Sequence, residues 1–443
     1  MSSAIDDRGL SRTGWLAGCL LILLASLFLQ LKTARETVLE ASGVRGDARE
    51  YLTYAVNLRQ HGIYSRKIAA PGAVPTPDAV RAPGYPFLLA LLIEPDARDL
   101  GLSRIVLLQA LLGTATILLC LLLFRRFLPP AWALAAAGLA ATSPHLVNAG
   151  VYLLTESVFT FLLVLHLFCL ERGWSLRSGR WLLAAGIVLA VSIMVRPTTQ
   201  YLVLFYGLAL LLLRDTAWQQ RLKALACLLV PILVLSGAWG WRNVQATGHF
   251  SDPLLQADFL HHGMYVDMKY NDDPRTYGYP YRFNPEAHEY HRNTGRVIRE
   301  IADRFAEEPL RHAGWYLIGK PVQLLSWHLT ESIGGPFVYA PAHSPWLESS
   351  PLRIINAITR GMHAPLMLLA FAGASLVIWR LAAVNPGVAV SAIVFFYFLA
   401  VHMLGAPFPR YSVPLRPLCY ALALWLLHEG WQAWRRHRNG ETP

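Results

Sequence analysis

Ten stretches of this chain are apolar over nearly the length a bilayer demands, and no soluble fold buries that many. They are 15–32, 103–124, 131–149, 151–170, 181–195, 199–213, 224–240, 361–380, 387–405 and 414–429. A spanning helix needs about 20 mostly apolar residues, so 181–195 and 199–213 are short and require tilt or other bounds. Only 15% of the 443 residues are charged, against about 25% in soluble domains. A disordered chain, a fibrous chain and an ordinary soluble enzyme are excluded. The expected fold class is an all-α polytopic membrane protein of about ten transmembrane helices.

An even number of spans puts both termini on one side. Arg125 and Arg126, then Arg172, Arg177 and Arg180, then Arg214, Arg221 and Lys223 fall in one set of short loops, and Arg435, Arg436 and Arg438 in the tail. Basic short loops stay cytoplasmic. The net charge of +11 is therefore read as topology, not as nucleic-acid binding. The long segments 33–102 and 241–360 are expected on the periplasmic face of a bacterial inner membrane. Three parts follow: residues 1–240 with the first outer loop, the outer segment 241–360, and residues 361–443 with the C-terminal spans and tail.

Leu16-Ala17-Gly18-Cys19 imitates a lipoprotein cleavage box, but the apolar run follows the cysteine instead of preceding it. Residues 15–32 are expected to be an uncleaved signal anchor. Cys19, Cys120, Cys169, Cys227 and Cys419 all lie in apolar runs, which predicts buried thiols and neither a disulfide framework nor a zinc knuckle.

The outer segments carry the polar groups. In Asp47–His61, Tyr51, Tyr54, Ala55 and Leu58 recur at helical spacing, and Gly62 follows as a stop, predicting an amphipathic interfacial helix. Arg81–Ile93 (RAPGYPFLLALLI) is too short to span and predicts a second interfacial helix. A helix is expected over about 285–308, and a peripheral amphipathic stretch over 313–333.

Asp47 admits two readings: a general base toward a hydroxyl, or the N-cap of a capping box completed by Glu50. Glu156 lies at the outer end of an apolar run, where an ionisable group is costly and hence a functional candidate. His145, Asn148, Tyr152 and Glu156 would share one face of a continuous helix. Arg81, Arg196, Arg242 and Arg410 sit at outer membrane ends against the positive-inside bias. Their forked guanidiniums suit phosphate, and snorkelling to headgroups is the alternative. His261, His262, His288 and His291, with Asp258, Asp267, Asp272 and Asp273 nearby, signal a metal weakly and a solvated loop better. The deeper His166 and His402 read as core residues.

Taken in order, GDAREYLTYAVNLRQHGIYS, RAPGYPFLLALL, SPHLVNAGVYLLTESVFTFLL, MVRPTTQ, AWGWRNVQATGHF and PRYSVPLRP resemble the GT-C glycosyltransferases. The likeness is to the bacterial polyprenyl-phosphate-sugar branch, which includes aminoarabinose, galacturonosyl and protein-mannosyl transferases. The resemblance implies an inverting transferase that takes its sugar from a polyprenyl-phosphate-linked donor on the outer face, with a lipid, glycan or protein acceptor. It implies Asp47 as the catalytic acid of the first outer loop and Glu156 as a second acid. It implies a donor-phosphate site at Arg81 and Tyr85, with Arg410 and Tyr411 before the last span. Arg196 joins that site as a phosphate-binding arginine, and Arg242 and Asn243 are read as part of the substrate loop. Gly46 stands where some relatives carry a further acid, so a divalent metal is only weakly supported, and no cofactor is certain. The short C-terminal part argues against an oligosaccharyltransferase. A secondary transporter and a polysaccharide polymerase or ligase are the rival readings. A transporter predicts paired half-repeats and a midplane charged site, and neither is seen in the sequence.

Overall fold

Two features of residues 10–36 make the first helix: Gly14 N–H donates to Ser11 Oγ at 3.0 Å, and an apolar run follows without a breaker. In the computed structural model, which describes residues 10–39, 44–70, 72–95, 100–212, 217–329 and 335–440, this is α1 (Arg12–Glu36). The strand β1 (Val38–Leu39) and the first long segment follow, with α2 (Asp47–His61) and α3 (Gly84–Leu92). Then come α4 (Leu102–Phe124), α5 (Pro130–Ala141), α6 (Pro144–Ala149), α7 (Glu156–Ser175), α8 (Gly179–Val195), α9 (Leu202–Leu212) and α10 (Trp218–Thr247). The second long segment holds α11 (Leu254–Gly263), α12 (Ala287–Tyr290), α13 (Thr294–Glu307), α14 (Pro309–Gly314), a π-helical turn at Trp315–Gly319, α15 (Lys320–Leu324), β2 (Pro341–His343) and α16 (Pro345–Glu348). The chain finishes with α17 (Ser350–Trp379), α18 (Pro386–Leu404), a 3₁₀ stretch at Pro409–Leu415 and α19 (Arg416–Arg438).

Among the described residues, α1, α4, α7, α10, α17 and α18 are long and apolar enough to cross a membrane, and α5, α8 and 197–211 are shorter apolar helices. The protein is an all-α, multi-pass membrane protein. Leu20, Leu21, Leu24 and Phe28 of α1 are more than half exposed, as a lipid-facing surface requires. The count of about ten spans is not confirmed among the described residues. The run 131–149 is broken at Thr142–Ser143, because Pro144 lacks an N–H and bars its predecessor from helical geometry. The run 151–170 begins with a turn, and its helix starts only at Glu156. His145, Asn148, Tyr152 and Glu156 are thus not one helical face. The first two lie on α6, Tyr152 in the turn, and Glu156 opens α7.

Two other helices differ from expectation. The stretch 285–308 divides into α12 and α13 where Arg292 takes a left-handed φ of 57°. Helix in 313–333 ends at Leu324, and 330–334 lie outside the described residues, as does Arg214. By contrast, α2 has the predicted bounds, with Gly62 at φ 67° closing it.

The helices pack as a bundle in which α7 meets α4 and α8, α8 meets α10, and α17 and α5 flank α19. Without water to drive association between spans, close packing at small residues does the work. Gly84 is one such place, since a Cβ there would stand 2.8 Å from the Met194 carbonyl. This contact seats the start of α3 against the end of α8, two residues before Arg196. The two long segments share one face, because β1 pairs antiparallel with β2, Val38 opposite His343. Trp346 Nε1 also donates to Thr33 Oγ1 at 2.9 Å.

Candidate active site

Gly46 starts the site. Its φ of 54° is open to glycine and strained for other residues, and it turns the chain so that Asp47 is the first helical residue of α2. The Asp47 carboxylate points away from its own helix. Oδ1 accepts from Arg81 Nη2 at 2.7 Å, and Oδ2 accepts from Arg410 Nη2. Glu50, one turn on, accepts from Arg81 Nε at 2.7 Å and from Arg66 Nη1 at 3.1 Å. The capping box is therefore not formed: the N-cap is Gly46, and the helix start shows no side-chain cap bond. Charge-assisted bonds to guanidinium outbid neutral backbone donors for these carboxylates.

A second pair adjoins the first. Arg196, in extended conformation directly after α8, donates from Nη1 to Glu156 Oε1 at 3.1 Å. Its guanidinium lies 4.5 Å from the centre of the Tyr411 ring, a cation–π contact. Glu156 is buried and opens α7, where the helix dipole favours an anion; its Oε2 has no hydrogen-bond partner among the described residues. The charge of Glu156 reaches both Arg410 and Tyr51, so the two pairs form one cluster. Among the described residues, the guanidiniums of Arg66, Arg81, Arg196 and Arg410 face the carboxylates of Asp47, Glu50 and Glu156. A fourth carboxylate, Asp258, lies within electrostatic reach of Arg81, Arg66 and Glu50.

Electrostatics follow from this crowding. Burial alone would raise the Asp47 carboxyl, but the charges of Arg410 and then Arg81, with their hydrogen bonds, hold it well below the usual carboxylate range. Tyr51, buried beside Arg81, is pushed up to about 12 by burial and keeps its proton.

The remaining candidates stand around this cluster. Tyr85 is fully buried, edge-on to Tyr51 at 5.2 Å. Its hydroxyl donates to Gln109 Oε1 at 2.8 Å, and Gln109 Nε2 donates to the carbonyls of Gly150 and Tyr152, each at 2.9 Å. Tyr85 thus lies behind the arginines and ties α3 to α4 and to the turn before Glu156. Arg242 and Asn243 bind protein groups: Arg242 Nη1 donates to the Asp78 carbonyl at 2.8 Å, and Asn243 Nδ2 to the Phe250 carbonyl at 3.1 Å. Arg242 also covers the rings of Tyr64 and Trp239. It clamps the first long segment to the end of α10.

Of the four histidines, His288 and His291 are exposed, as a solvated loop requires, and His261 and His262 are not. His261 is buried and bonded through Nε2 to the Tyr265 hydroxyl at 2.7 Å, and His262 stacks on Tyr281 at 3.6 Å. They belong to aromatic packing within the second long segment, where Met264, Tyr265, Tyr290 and Val297 form a small core. Among the described residues, no group of three or more His, Cys, Asp or Glu could hold a metal ion. Each carboxylate of the cluster is already taken by a guanidinium, a set that suits an anion, not a divalent cation.

Sequence reading missed Arg66, Gln109 and Tyr339, and gave Glu50 only a capping role. Tyr339, from the second long segment, senses the charges of Arg410, Asp47 and Glu156 and accepts at its carbonyl from the Tyr152 hydroxyl at 2.6 Å. Arg66 and Tyr339 lie in no periodic pattern or apolar run; Gln109 lies within the apolar run 103–124, where its lone amide was the available signal.

Residues 81–241 match the family model of dolichyl-phosphate-mannose-protein mannosyltransferase. The stretch contains Arg81, Glu156 and Arg196 and leaves Asp47 and Arg410 outside. The crystal structure of an oligosaccharyltransferase from Archaeoglobus fulgidus, tethered with an acceptor peptide, superposes over 98% of this chain with TM-score 0.52 and 14% identity. This is the GT-C fold. The apo form of the same enzyme gives TM-score 0.50 at 12% identity, over 98% of this chain and 53% of that one. This chain spans about half the length of the tethered oligosaccharyltransferase, 52% of it. ArnT from Cupriavidus metallidurans, bound to undecaprenyl phosphate, aligns over 90% of this chain and 78% of its own at 17% identity and TM-score 0.42. No curated protein sequence matches this chain. Within its GT-C fold, the arginine–carboxylate cluster gathers the start of α2, the residues before α3, the end of α8, the start of α7 and the 3₁₀ stretch before α19.

Proposed function

We propose that this protein is an integral-membrane glycosyltransferase that moves a sugar from a polyprenyl-phosphate-linked donor to an envelope acceptor, lipid, glycan or protein, on the periplasmic face. The observation that carries this reading is the cluster itself, in which Arg81 and Arg410 grip one carboxylate from opposite oxygens with Arg196 and Glu156 beside them. An anion-binding array with an acid at its centre is what displacement of a lipid phosphate needs.

The chemistry divides between the two residue types. The acceptor oxygen attacks the anomeric carbon from the face opposite the phosphate and inverts it. The carbon–oxygen bond to phosphate breaks, and its electron pair leaves on the polyprenyl phosphate. That group departs as an anion and needs positive charge more than a proton, so Arg81, Arg196 and Arg410 serve it. The acceptor proton passes to Asp47 as general base. Tyr411, under Arg196, and Tyr85, behind Tyr51, keep the arginines oriented. Arg242 and Asn243 secure the second long segment, which shapes the acceptor side. A prenyl tail stays in lipid while the reacting carbon sits at the surface.

Membranes carrying the chain should consume a polyprenyl-phosphate sugar, release polyprenyl phosphate and gain a glycosylated envelope component, followed by mass spectrometry of lipid-linked sugars and envelope glycans with and without the gene. Uptake of a free solute by proteoliposomes, with lipid-linked sugars untouched, would establish a transporter instead.

A further inference from the structure

Asp47 is in an awkward state for a base. Both of its oxygens accept from guanidinium groups, so its affinity for a proton is low while they stay. Arg81 and Arg410 are also awkward for phosphate, since their forks are already turned onto Asp47. Yet Arg81 has a second tether: its Nε is held by Glu50 at 2.7 Å, and Glu50 is held in turn by Arg66 at 3.1 Å. Glu50 does not contact Arg410.

We propose that the Asp47 carboxylate occupies the donor-phosphate site in the resting protein and is displaced from Arg81 and Arg410 when a lipid phosphate enters. The arriving phosphate oxygens take the two Nη2 donors, and Glu50 keeps Arg81 in place as a positioning residue. Asp47, released from both, regains the basicity it needs for the acceptor proton. Base activation is thereby coupled to donor binding, and the acceptor is not deprotonated before a donor is present. Substitution and binding are reciprocal: whatever weakens the hold of Asp47 on the arginines strengthens that of the phosphate. The inference rests on the transferase reading above and adds an order of events to it.

The experiment measures binding of farnesyl phosphate, as a short polyprenyl phosphate, to the purified full chain in detergent, with inorganic phosphate in a parallel arm. Asp47→Asn and Asp47→Ala should each bind farnesyl phosphate about tenfold more tightly or better, because the charge-assisted bonds that must otherwise break are gone. Glu50→Gln removes the same charge from the same cluster and should bind no more tightly than the native chain. Inorganic phosphate should bind more weakly than the lipid phosphate, since it has no prenyl tail to bury. Equal or weaker binding by both Asp47 variants, or an equal gain in Glu50→Gln, overturns the exchange. Thermal unfolding followed by tryptophan fluorescence identifies a misfolded variant, and the two Asp47 variants check one another. If neither the native chain nor any variant binds farnesyl phosphate, the transferase reading itself fails, and the exchange with it.

Discussion

Arg81 stands 34 residues from Asp47 in the sequence and 2.7 Å from it in the fold. A second arginine, Arg410, closes on the other oxygen of the same carboxylate from 363 residues away. The first long segment and the residues just before α19 therefore meet on one side chain, and the consequences of substituting it can be stated.

Asp47→Asn should lose on the order of 10²-fold or more in transfer rate, the usual share of a general base, while α2 keeps its helical structure. Gly46, not Asp47, is the N-cap, so loss of a cap cannot account for such a fall. Glu50→Gln should raise the donor KM with kcat largely retained, as expected for a residue that positions Arg81. Steady-state kinetics with circular dichroism decides between the two roles; unchanged turnover in Asp47→Asn would remove the base assignment.

Arg196→Gln leaves the buried Glu156 carboxylate without its partner, and breaking a buried pair costs about 3–5 kcal/mol. The double variant Arg196→Gln with Glu156→Gln should recover much of that loss, because no charge is then stranded. Thermal unfolding of the two singles and the double, read as a cycle, tests the coupling. Additive losses would mean that the 3.1 Å contact contributes little.

Arg242→Gln should loosen the first long segment without touching the arginine–carboxylate cluster. The guanidinium holds the Asp78 carbonyl at 2.8 Å, and Asp78 in turn accepts from the Tyr54 hydroxyl and from Arg66 N–H. Faster amide exchange over residues 64–82, with α4 and α7 protected as before, is the expected outcome. Exchange confined to the second long segment would contradict the clamp.

Burial, helped by His261, lowers His262 from 6.5 to about 3, against an opposing pull from Asp47. The unfolded chain binds the proton first, so this group's share of stability is complete above pH 6.5 and declines as pH falls toward 3. The slope for one proton is about 1.4 kcal/mol per pH unit. His261, lowered to about 4 chiefly by burial, acts in the same sense. His262→Gln should flatten the acid decline measured by thermal unfolding between pH 6.5 and 4. An unchanged decline would show that the imidazole is hydrated in solution.

Much of the site was legible as a list of residues. Glu156, Arg81, Arg196 and Arg410 stand out by type and place, as an acid or arginines at the ends of apolar runs, where a charge is costly, and Asp47 as the first residue of an amphipathic helix. What they do to one another was not legible. Asp47 and Glu50 have the spacing of a capping box, and local spacing alone favours that reading. The structure breaks it because Arg81, Arg66 and Arg410 compete for the same oxygens, and their arrival depends on how α3 and the last loop pack. Tyr85 and Arg242 show the same limit, since their partners Gln109 and Asp78 lie 24 and 164 residues away.

By itself the sequence determined the membrane class, the amphipathic helix from Asp47 to His61 and its stop at Gly62, because run length, periodicity and a left-handed glycine are local properties. Only the tertiary structure decided that the run 131–149 divides before Pro144 and that Glu156 starts a helix instead of lying along one. It alone decided that four guanidiniums share three carboxylates with Asp47 between two of them. Ion pairing is settled by distance and by what else competes at that distance, and both are set by the packing of helices far apart in the chain.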